Sequence, residues 1–426
     1  MERTIENINE KIENGDVQVY SASDFKESIR NGDVPSFEEV DVVTCGTCGI
    51  MSGTSAIFNI IVSEPGSFKK ANKIYLNGIP AQVGPCPNEL LGSVDCIING
   101  TGRSKDDINY GGGFLFNDLL KGKDIEVEVE TYEGKTIRTT TNLDEIVTAH
   151  MIGTRNAFKN YTAFVNTGDK PINSIFYAKP MESGFDKISF SGCGDINPLQ
   201  NDPKRNVIKM GAKILLNGSE GLVLGSGTRS SDEAPNLMLS ADLKKMDPYY
   251  IGGFMTGMGP EVYDSVAIPI PVLNEGIYDN LLVLNEDVPL KVADIKGRSY
   301  HITDTDYGQM WNGHDINRPK FDEGKCIGCD VCAVEENCPT NSVKHMIQNN
   351  KIIVELDNEA CFGCGICSTY CVGNVFELDT GMANLNIDGE NHSVHITSRQ
   401  SDRLRANHII NDLVDRINDG SFKFSY

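Results

Sequence analysis

Eight of the chain's thirteen cysteines fall between Cys326 and Cys371, in a pattern written twice. The first run sets Cys326, Cys329 and Cys332 with two residues between successive thiols, and Cys338 trails before Pro339. The second sets Cys361, Cys364 and Cys367 in the same way, with Cys371 trailing. Three thiolates at that spacing can wrap one face of an iron-sulfur cubane, and a fourth from elsewhere completes the four cysteines a [4Fe-4S] cluster needs. Two triplets therefore imply two clusters. Zinc ribbons use pairs of cysteines, and disulfide frameworks belong to oxidising compartments, so neither matches the pattern as well.

From about Lys320 to Met382 the stretch resembles the bacterial two-cluster ferredoxins. In that family the trailing cysteine of each run serves the other cluster. The resemblance implies Cys326, Cys329, Cys332 and Cys371 as one ligand set, and Cys361, Cys364, Cys367 and Cys338 as the other. It also implies electron transfer with a separate donor protein or carrier. Two departures stand out: five residues separate Cys332 from Cys338 where three are usual, and Val372 follows the last cysteine where a proline often stands.

A second group of thiols lies upstream. Val40 to Thr44 reads as a short strand running into Cys45-Gly46-Thr47-Cys48 and a glycine-rich turn, with a helical run expected from Ala56 to Val62. That order would set Cys45 and Cys48 at a helix N-terminus, where a thiol's pKa falls. The pair reads as a redox dithiol, a metal half-site or two buried thiols. Cys193 lies in the turn-rich stretch Gly192 to Pro203, which suits a loop lining a site. Lys213 to Val223 echoes Lys73 to Val83, with a Cys-Gly pair before each, so two related halves are expected to bring Cys48 and Cys193 together. A metal held by Cys45, Cys48 and Cys193 is a further possibility. Cys96 reads as core and Cys86 as a loop thiol.

Several segments could hold an anion. Arg155 begins a cationic and amide-rich run to Tyr161, and Arg229 closes the Gly225-Ser-Gly-Thr loop. Gly111 and Gly112 precede a helix expected from Phe114 to Lys121, and offer backbone amides at its start, or else form a tight turn.

The elements that must position these residues point to a mixed α/β fold. Two amphipathic helices are expected within residues 4–31, the second capped at Ser23-Asp24, and a third helix opens at Ser401 or Asp402. Val266 to Leu273 is apolar, and its prolines predict an edge or extended segment. At 426 residues the chain exceeds one ordinary core. The expected division is a large domain over 1–315, a two-cluster domain over 316–382 and a C-terminal extension over 383–426. The net charge of −22 disfavours binding to nucleic acid or an anionic membrane. From Phe321 to Thr380 ten carboxylates face three lysines, which would suit a basic patch on an electron donor. The chain's start has no apolar leader and no stretch is long enough to span a membrane, so a cytoplasmic protein is expected.

From Val42 to Glu275 the motif order resembles the archaeal homocysteine-biosynthesis family, whose better understood members are L-aspartate semialdehyde sulfurtransferases. The residues carrying the likeness include Gly46-Thr47, Gly49-Ile50-Met51, Leu76 to Pro80, Tyr110 to Gly113, Arg155 to Tyr161, Asn197 to Leu199, Asn201 to Pro203 and Ile268 to Glu275. With the ferredoxin-like stretch behind it, the whole resembles the methanogenesis marker 16 metalloprotein family. The resemblance implies sulfur transfer from sulfide or a persulfide to an aldehyde such as L-aspartate semialdehyde, with reduction to a thiol, in a methanogenic archaeon. It also implies a nucleophilic cysteine just after Gly-x-Met, where this chain has Ser52, and a second one further on, whereas Thr131 to Asn142 holds none. Serine cannot carry a persulfide, so Cys48, Cys193 and Cys45 become the candidate catalytic thiols. The alternative is an electron-transfer or assembly metalloprotein that serves a methanogenesis enzyme without transferring sulfur itself.

Overall fold

Two Asn-Gly dipeptides turn the chain in the same way. Asn77 and Gly78 have φ of 46° and 74°, and Asn217 and Gly218 have φ of 53° and 83°. Left-handed backbone at both central positions makes the two-residue turn that matches strand twist. The result is a pair of like hairpins, Ala71–Leu76 with Ile79–Val83 and Lys213–Leu216 with Ser219–Ser226. The sequence echo is thus a repeated hairpin. The structure is a computed structural model that describes residues 3–84, 86–159, 161–313, 318–348 and 351–425.

Both hairpins belong to one 14-stranded sheet. Its order begins Val19–Ser21, Val42–Ile50, Gly259–Pro271, then the second hairpin, Leu237–Asp242, Thr148–Asn156 and Thr54–Ile61. It ends with Ser93–Asn99, the first hairpin, Ile125–Thr131 and Thr136–Thr141, while the fourteenth strand, Gly252–Thr256, pairs off this path with Gly259–Pro271. A second sheet has six strands, in the order His301–Asp306, Pro289–Asp294, Thr162–Val165, Lys187–Phe190, Glu390–Arg399 and Met382–Ile387. Its core includes Val165, Phe190, Leu290, Val292 and Leu385, so strands beyond the cysteine-rich stretch complete a sheet begun before it. With helices packed on both sheets the architecture is mixed α and β.

Three expectations are corrected. The run from Ala56 to Val62 is no helix, because Thr54, Ala56, Phe58 and Ile60 are buried alternately along the strand Thr54–Ile61. A period of two is the mark of a pleated strand. The preceding strand does not break at the glycines: Val42–Ile50 runs through both cysteines and is buried at every residue but the last. The proline-bearing run is extended, as expected, but not at an edge: it lies inside the thirteen-residue strand Gly259–Pro271, third in the order of the sheet. Pairing with the strand Lys213–Leu216 stops at Ala267, so Pro269 and Pro271 fall where no second neighbour needs their missing N–H.

The first helix, Ile5–Asn14, buries Ile8 and Ile12. The second, Ala22–Asn31, is capped by Ser21 rather than Ser23, and its hydroxyl accepts from the Asp24 amide at 3.0 Å. The C-terminal helix Arg403–Asn418 lies across the strands Val42–Ile50 and Gly259–Pro271, burying Ile409, Ile410, Leu413 and Ile417. Glycines permit this approach, since a Cβ on Gly46 would stand 2.7 Å from Ile410 Cγ1, and one on Gly49 would stand 2.8 Å from the Gln400 carbonyl. No helix among the described residues is long and apolar enough to cross a membrane.

The cysteine-rich segment has its own small core of Val334, Val343, Val354, Val375 and Phe376. One-turn helices Ala333–Asn337 and Ile366–Tyr370 alternate with the hairpin Val343–Gln348/Lys351–Leu356 and the pair Lys320–Phe321/Phe376–Glu377. Phe362 fixes this unit to the large sheet, with its ring 5.2 Å from those of Phe254 and Tyr263.

Candidate functional site: an arginine-lined cavity beside buried thiols

Where the two sheets meet, a cavity of about 550 Å³ opens at the ends of several strands. Thr154 and Arg155 reach it from the strand Thr148–Asn156, and Thr228 and Arg229 come from the loop after Ser219–Ser226. Arg298 comes from the turn between the outer strands of the second sheet. Sequence reasoning named Arg155 and Arg229 separately, and the fold brings them to one place. It missed Arg298, which sits in a short basic turn with no motif around it.

Aromatic rings hold two of these arginines. Arg155 lies 4.2 Å from the Phe158 ring centre, and Arg298 lies 5.0 Å from that of Phe176. Such stacking leaves the guanidinium edges free for a ligand. The Arg155 Nε is buried without a hydrogen-bond partner. Among the described residues no Asp or Glu lines the cavity, and no ion pair uses Arg155, Arg229 or Arg298. In a chain of net charge −22 this is a local reversal of sign.

Ser52, where the resemblance sets a nucleophile, also lines this cavity. Behind it the Glu261 carboxyl takes a hydrogen bond from the Ser52 hydroxyl, while its Oε2 is buried without a partner. Burial raises the Glu261 pKa and favours its neutral form.

The thiols stand behind the cavity wall. The turn Ser191-Gly192-Cys193 is pinned by Tyr307 Oη donating to the Ser191 carbonyl at 2.7 Å, by Trp311 Nε1 donating to the Gly192 carbonyl at 3.1 Å, and by the Gly192 amide donating to Ser401 Oγ at 2.6 Å. Gly192 has a φ of 106°, and a Cβ there would stand 2.2 Å from Tyr307 Oη and 2.7 Å from Tyr161 Cδ2; Tyr161 also lines the cavity. The Cys193 thiol then lies 3.6 Å from the Cys48 carbonyl oxygen. The fold does bring Cys48 and Cys193 together, in packed interior rather than an open cleft.

Cys45 and Cys48 are not a helix-terminal pair. At i and i+3 of a strand their side chains point to opposite faces. Cys45 faces Lys26, Asp202 and Asp195, whereas Cys48 faces Asp402 and Arg405. A dithiol between them, or a metal shared with Cys193, is therefore not formed, and no three Cys, His, Asp or Glu among the described residues are placed to hold one ion. Instead of falling, the thiol pKa values rise: burial pushes Cys45 up to about 12 and raises Cys48 and Cys193 as well. Burial also lowers Lys26, beside Cys45, to about 8.

Gly111 and Gly112 cap and open the helix Gly112–Leu120, as the sequence predicts. They serve close packing, since a Cβ on Gly112 would stand 2.2 Å from the Asn99 carbonyl and one on Gly111 would stand 2.5 Å from Pro260. Cys96 is core and Cys86 is exposed.

In the cysteine-rich unit, Cys338 is close enough to Cys361, Cys364 and Cys367 for its charge to push all three thiols up, beyond the larger effect of burial. Cys326, Cys332 and Cys371 pack around the same small core. Backbone amides point at three of the sulfurs: Ser342 at Cys338 (3.2 Å), Val375 at Cys371 (3.4 Å) and Gly363 at Cys361 (3.5 Å). The C-terminal helix ties this unit to the upstream thiols. Buried Arg405 donates to the carbonyls of Cys361 at 2.8 Å and Tyr249 at 2.8 Å, to that of Glu359, and to Asp402 Oδ2 at 2.6 Å, and it is near enough to Cys48 to lower that thiol's pKa. Sequence reasoning missed Arg405. Its signal was two arginines in a helix's first turn, where the macrodipole favours acids.

The fold and cavity define a class: a two-sheet α/β protein with an arginine-lined pocket between the sheets and buried thiols behind it. The chain belongs to the family described as homocysteine biosynthesis enzyme, sulfur-incorporation, whose model matches residues 17–424. An uncharacterized protein of Methanothermobacter thermautotrophicus is 50% identical over 422 residues, 99% of this chain and 94% of that one. An uncharacterized protein of Methanocaldococcus jannaschii is 44% identical over 96% of this chain and 99% of its own length. The L-aspartate semialdehyde sulfurtransferase of Methanosarcina acetivorans is 33% identical over 69% of this chain and 59% of its own length. No solved structure matches the chain.

Proposed function

We propose that the chain incorporates sulfur reductively into the carbonyl carbon of a small anionic aldehyde. In the balanced step an aldehyde and hydrogen sulfide, with two electrons and two protons, give a thiol and water. One observation carries the reading: in a member of a sulfur-incorporation family, three arginines without acidic partners among the described residues line one cavity with the turn that holds Cys193. The arginines hold the anion, the hydroxyls of Ser52, Thr154 and Thr228 orient it, and Phe158, Phe164 and Phe176 exclude water. Cys193, with Cys48 beside it, is the proposed sulfur carrier when the donor is a persulfide. Transfer of the outer sulfur of RSSH to the thiol releases RSH without change of oxidation level, and two further electrons then bring that sulfur to the thiol level. Tyr161 is the side chain that must move to admit the carrier. Cys45, on the far face of its strand, is left out of this role.

The reading also includes two [4Fe-4S] clusters, one held by Cys338, Cys361, Cys364 and Cys367, the other by Cys326, Cys329, Cys332 and Cys371. The donor sets fit: each offers four soft sulfurs, three sulfurs accept backbone amides, and the mutual nearness of Cys338 and the second triplet supports the crossed arrangement. Bound there, such clusters would supply electrons one at a time. A low-potential donor protein with a basic patch would reload them.

L-Aspartate semialdehyde, named for the sulfurtransferase relatives, heads the compounds to test. Anaerobically reconstituted protein given sulfide, a low-potential reductant and a panel of small anionic aldehydes should release a thiol detectable by mass spectrometry. Thiol from none of them, with iron and reduction verified, overturns the proposal. A second reading, an electron-transfer or assembly protein for another enzyme, is favoured by the absence of any cysteine from the cavity lining. Anaerobic co-purification with a stable partner, without thiol formation, would select it.

A further inference from the structure

The cavity's charge says more about its ligand than the family does. Arg155, Arg229 and Arg298 bring three positive charges to one cavity, and among the described residues no carboxylate lines the space to receive a cation. The Glu261 carboxyl stands behind Ser52, off the cavity lining, and already accepts from the Ser52 hydroxyl. L-Aspartate semialdehyde carries one carboxylate and one ammonium. In this cavity the carboxylate would engage part of the cationic wall, while the ammonium would face guanidinium groups without a partner, a like-charge contact that works against binding.

We infer that the cavity selects a small carbonyl compound with at least two negative charges and no ammonium group, the class that includes phospho-, sulfo-carboxy- and dicarboxy-aldehydes. The inference rests on the reading of this cavity as the substrate site. It draws on two further features. The half-buried Arg155 has an Nε with no hydrogen-bond partner, and the Phe158 and Phe176 rings hold Arg155 and Arg298 with their guanidinium edges free. Arg229 and Arg298 are exposed at the rim, where they can close on a ligand's second charge.

The test uses the full chain, anaerobic and iron-loaded, with three probes. Glycolaldehyde phosphate is a dianion, succinate semialdehyde a monoanion, and L-aspartate semialdehyde the monoanion's amino counterpart. Calorimetry should rank affinity in that order, with about tenfold or more between the dianion and L-aspartate semialdehyde. Arg229→Ala and Arg298→Ala should each weaken the dianion by about tenfold, leave thermal stability unchanged because both side chains are exposed, and recover in part as Arg→Lys. Equal or tighter binding of L-aspartate semialdehyde, or dianion affinity indifferent to both arginines, overturns the inference. The two proposals fail separately. If the dianion binds as stated and no aldehyde gains sulfur, the reaction is wrong and the charge selection stands. If L-aspartate semialdehyde is thiolated with the highest kcat/KM, the selection is wrong and the reaction stands.

Discussion

At the scale of single residues, burial decides what the upstream thiols can do. A thiol is nucleophilic as thiolate, and desolvation holds Cys45, Cys48, Cys96 and Cys193 in the protonated form. Iodoacetamide at pH 8 should therefore modify exposed Cys86 and spare these four until the protein is unfolded, as peptide mass spectrometry would show. Modification of Cys193 in native protein would mean that the wall at Tyr161 opens unaided. Asp264 shows the same physics in a carboxyl. Its oxygens accept from Thr54 Oγ1 and, at 2.8 Å, from Asn217 Nδ2, but burial outweighs both and pushes its pKa to about 6. A folded-state pKa above the unfolded value means that the native state holds its proton longer. The contribution of Asp264 is fully present below about pH 4 and is lost as pH rises through about 6, amounting to roughly 3 kcal/mol. Urea midpoints from pH 4 to 7 should show this fall superimposed on other titrations, and Asp264→Asn should flatten it.

At the scale of elements, the C-terminal helix is the piece whose role outran its sequence. The apolar stripe Ile410, Leu413 and Ile417 predicts a docked helix, and the helix docks. That periodicity carries no information about which strands receive it, because the receiving surface is made by Gly46 and Gly49 some 350 residues upstream. The hairpins were legible because Asn-Gly fixes a turn locally. The strand Thr54–Ile61 was not, because the glycines before it resemble a helix-capping turn, and the alternation that decides the matter spans only a few residues. Arg405 follows the same logic: a buried cation is explained only by partners far off in sequence. Removing it leaves the carbonyls of Cys361, Glu359 and Tyr249 without that donor and weakens the pairing of Asp402, which keeps Arg318 at 2.6 Å. Arg405→Ala should therefore cost about 3–5 kcal/mol in chemical denaturation. A loss below about 1 kcal/mol would show that water replaces the guanidinium, and that the cysteine-rich unit is held by its other contacts, Phe362 and the Met255 amide on the Pro339 carbonyl among them.

At the scale of the whole molecule, the chain is built by interleaving. The second sheet takes strands from both sides of the cysteine-rich unit, and Cys338 sits with a triplet that begins more than twenty residues later. Of the candidate site, the thiolate spacings and two of the three arginines could be read locally, while the cavity itself could not, since its walls come from both sheets. The crossed cysteine sets give this interleaving a test. If Cys338 completes the set of Cys361, Cys364 and Cys367, then Cys338→Ala should lower iron from about eight to about four per chain. The cluster lost should be the one next to Phe362 and Arg405. Cys371→Ala should remove the other, and the two variants should show different electron paramagnetic resonance spectra after reduction. Pairing within each run predicts the opposite assignment: Cys338→Ala would then spare the cluster beside Arg405. Arg405→Gln reports which survives, because a cation hydrogen-bonded to the Cys361 carbonyl should hold that cluster's reduction potential up, and its loss should move that signal alone to lower potential.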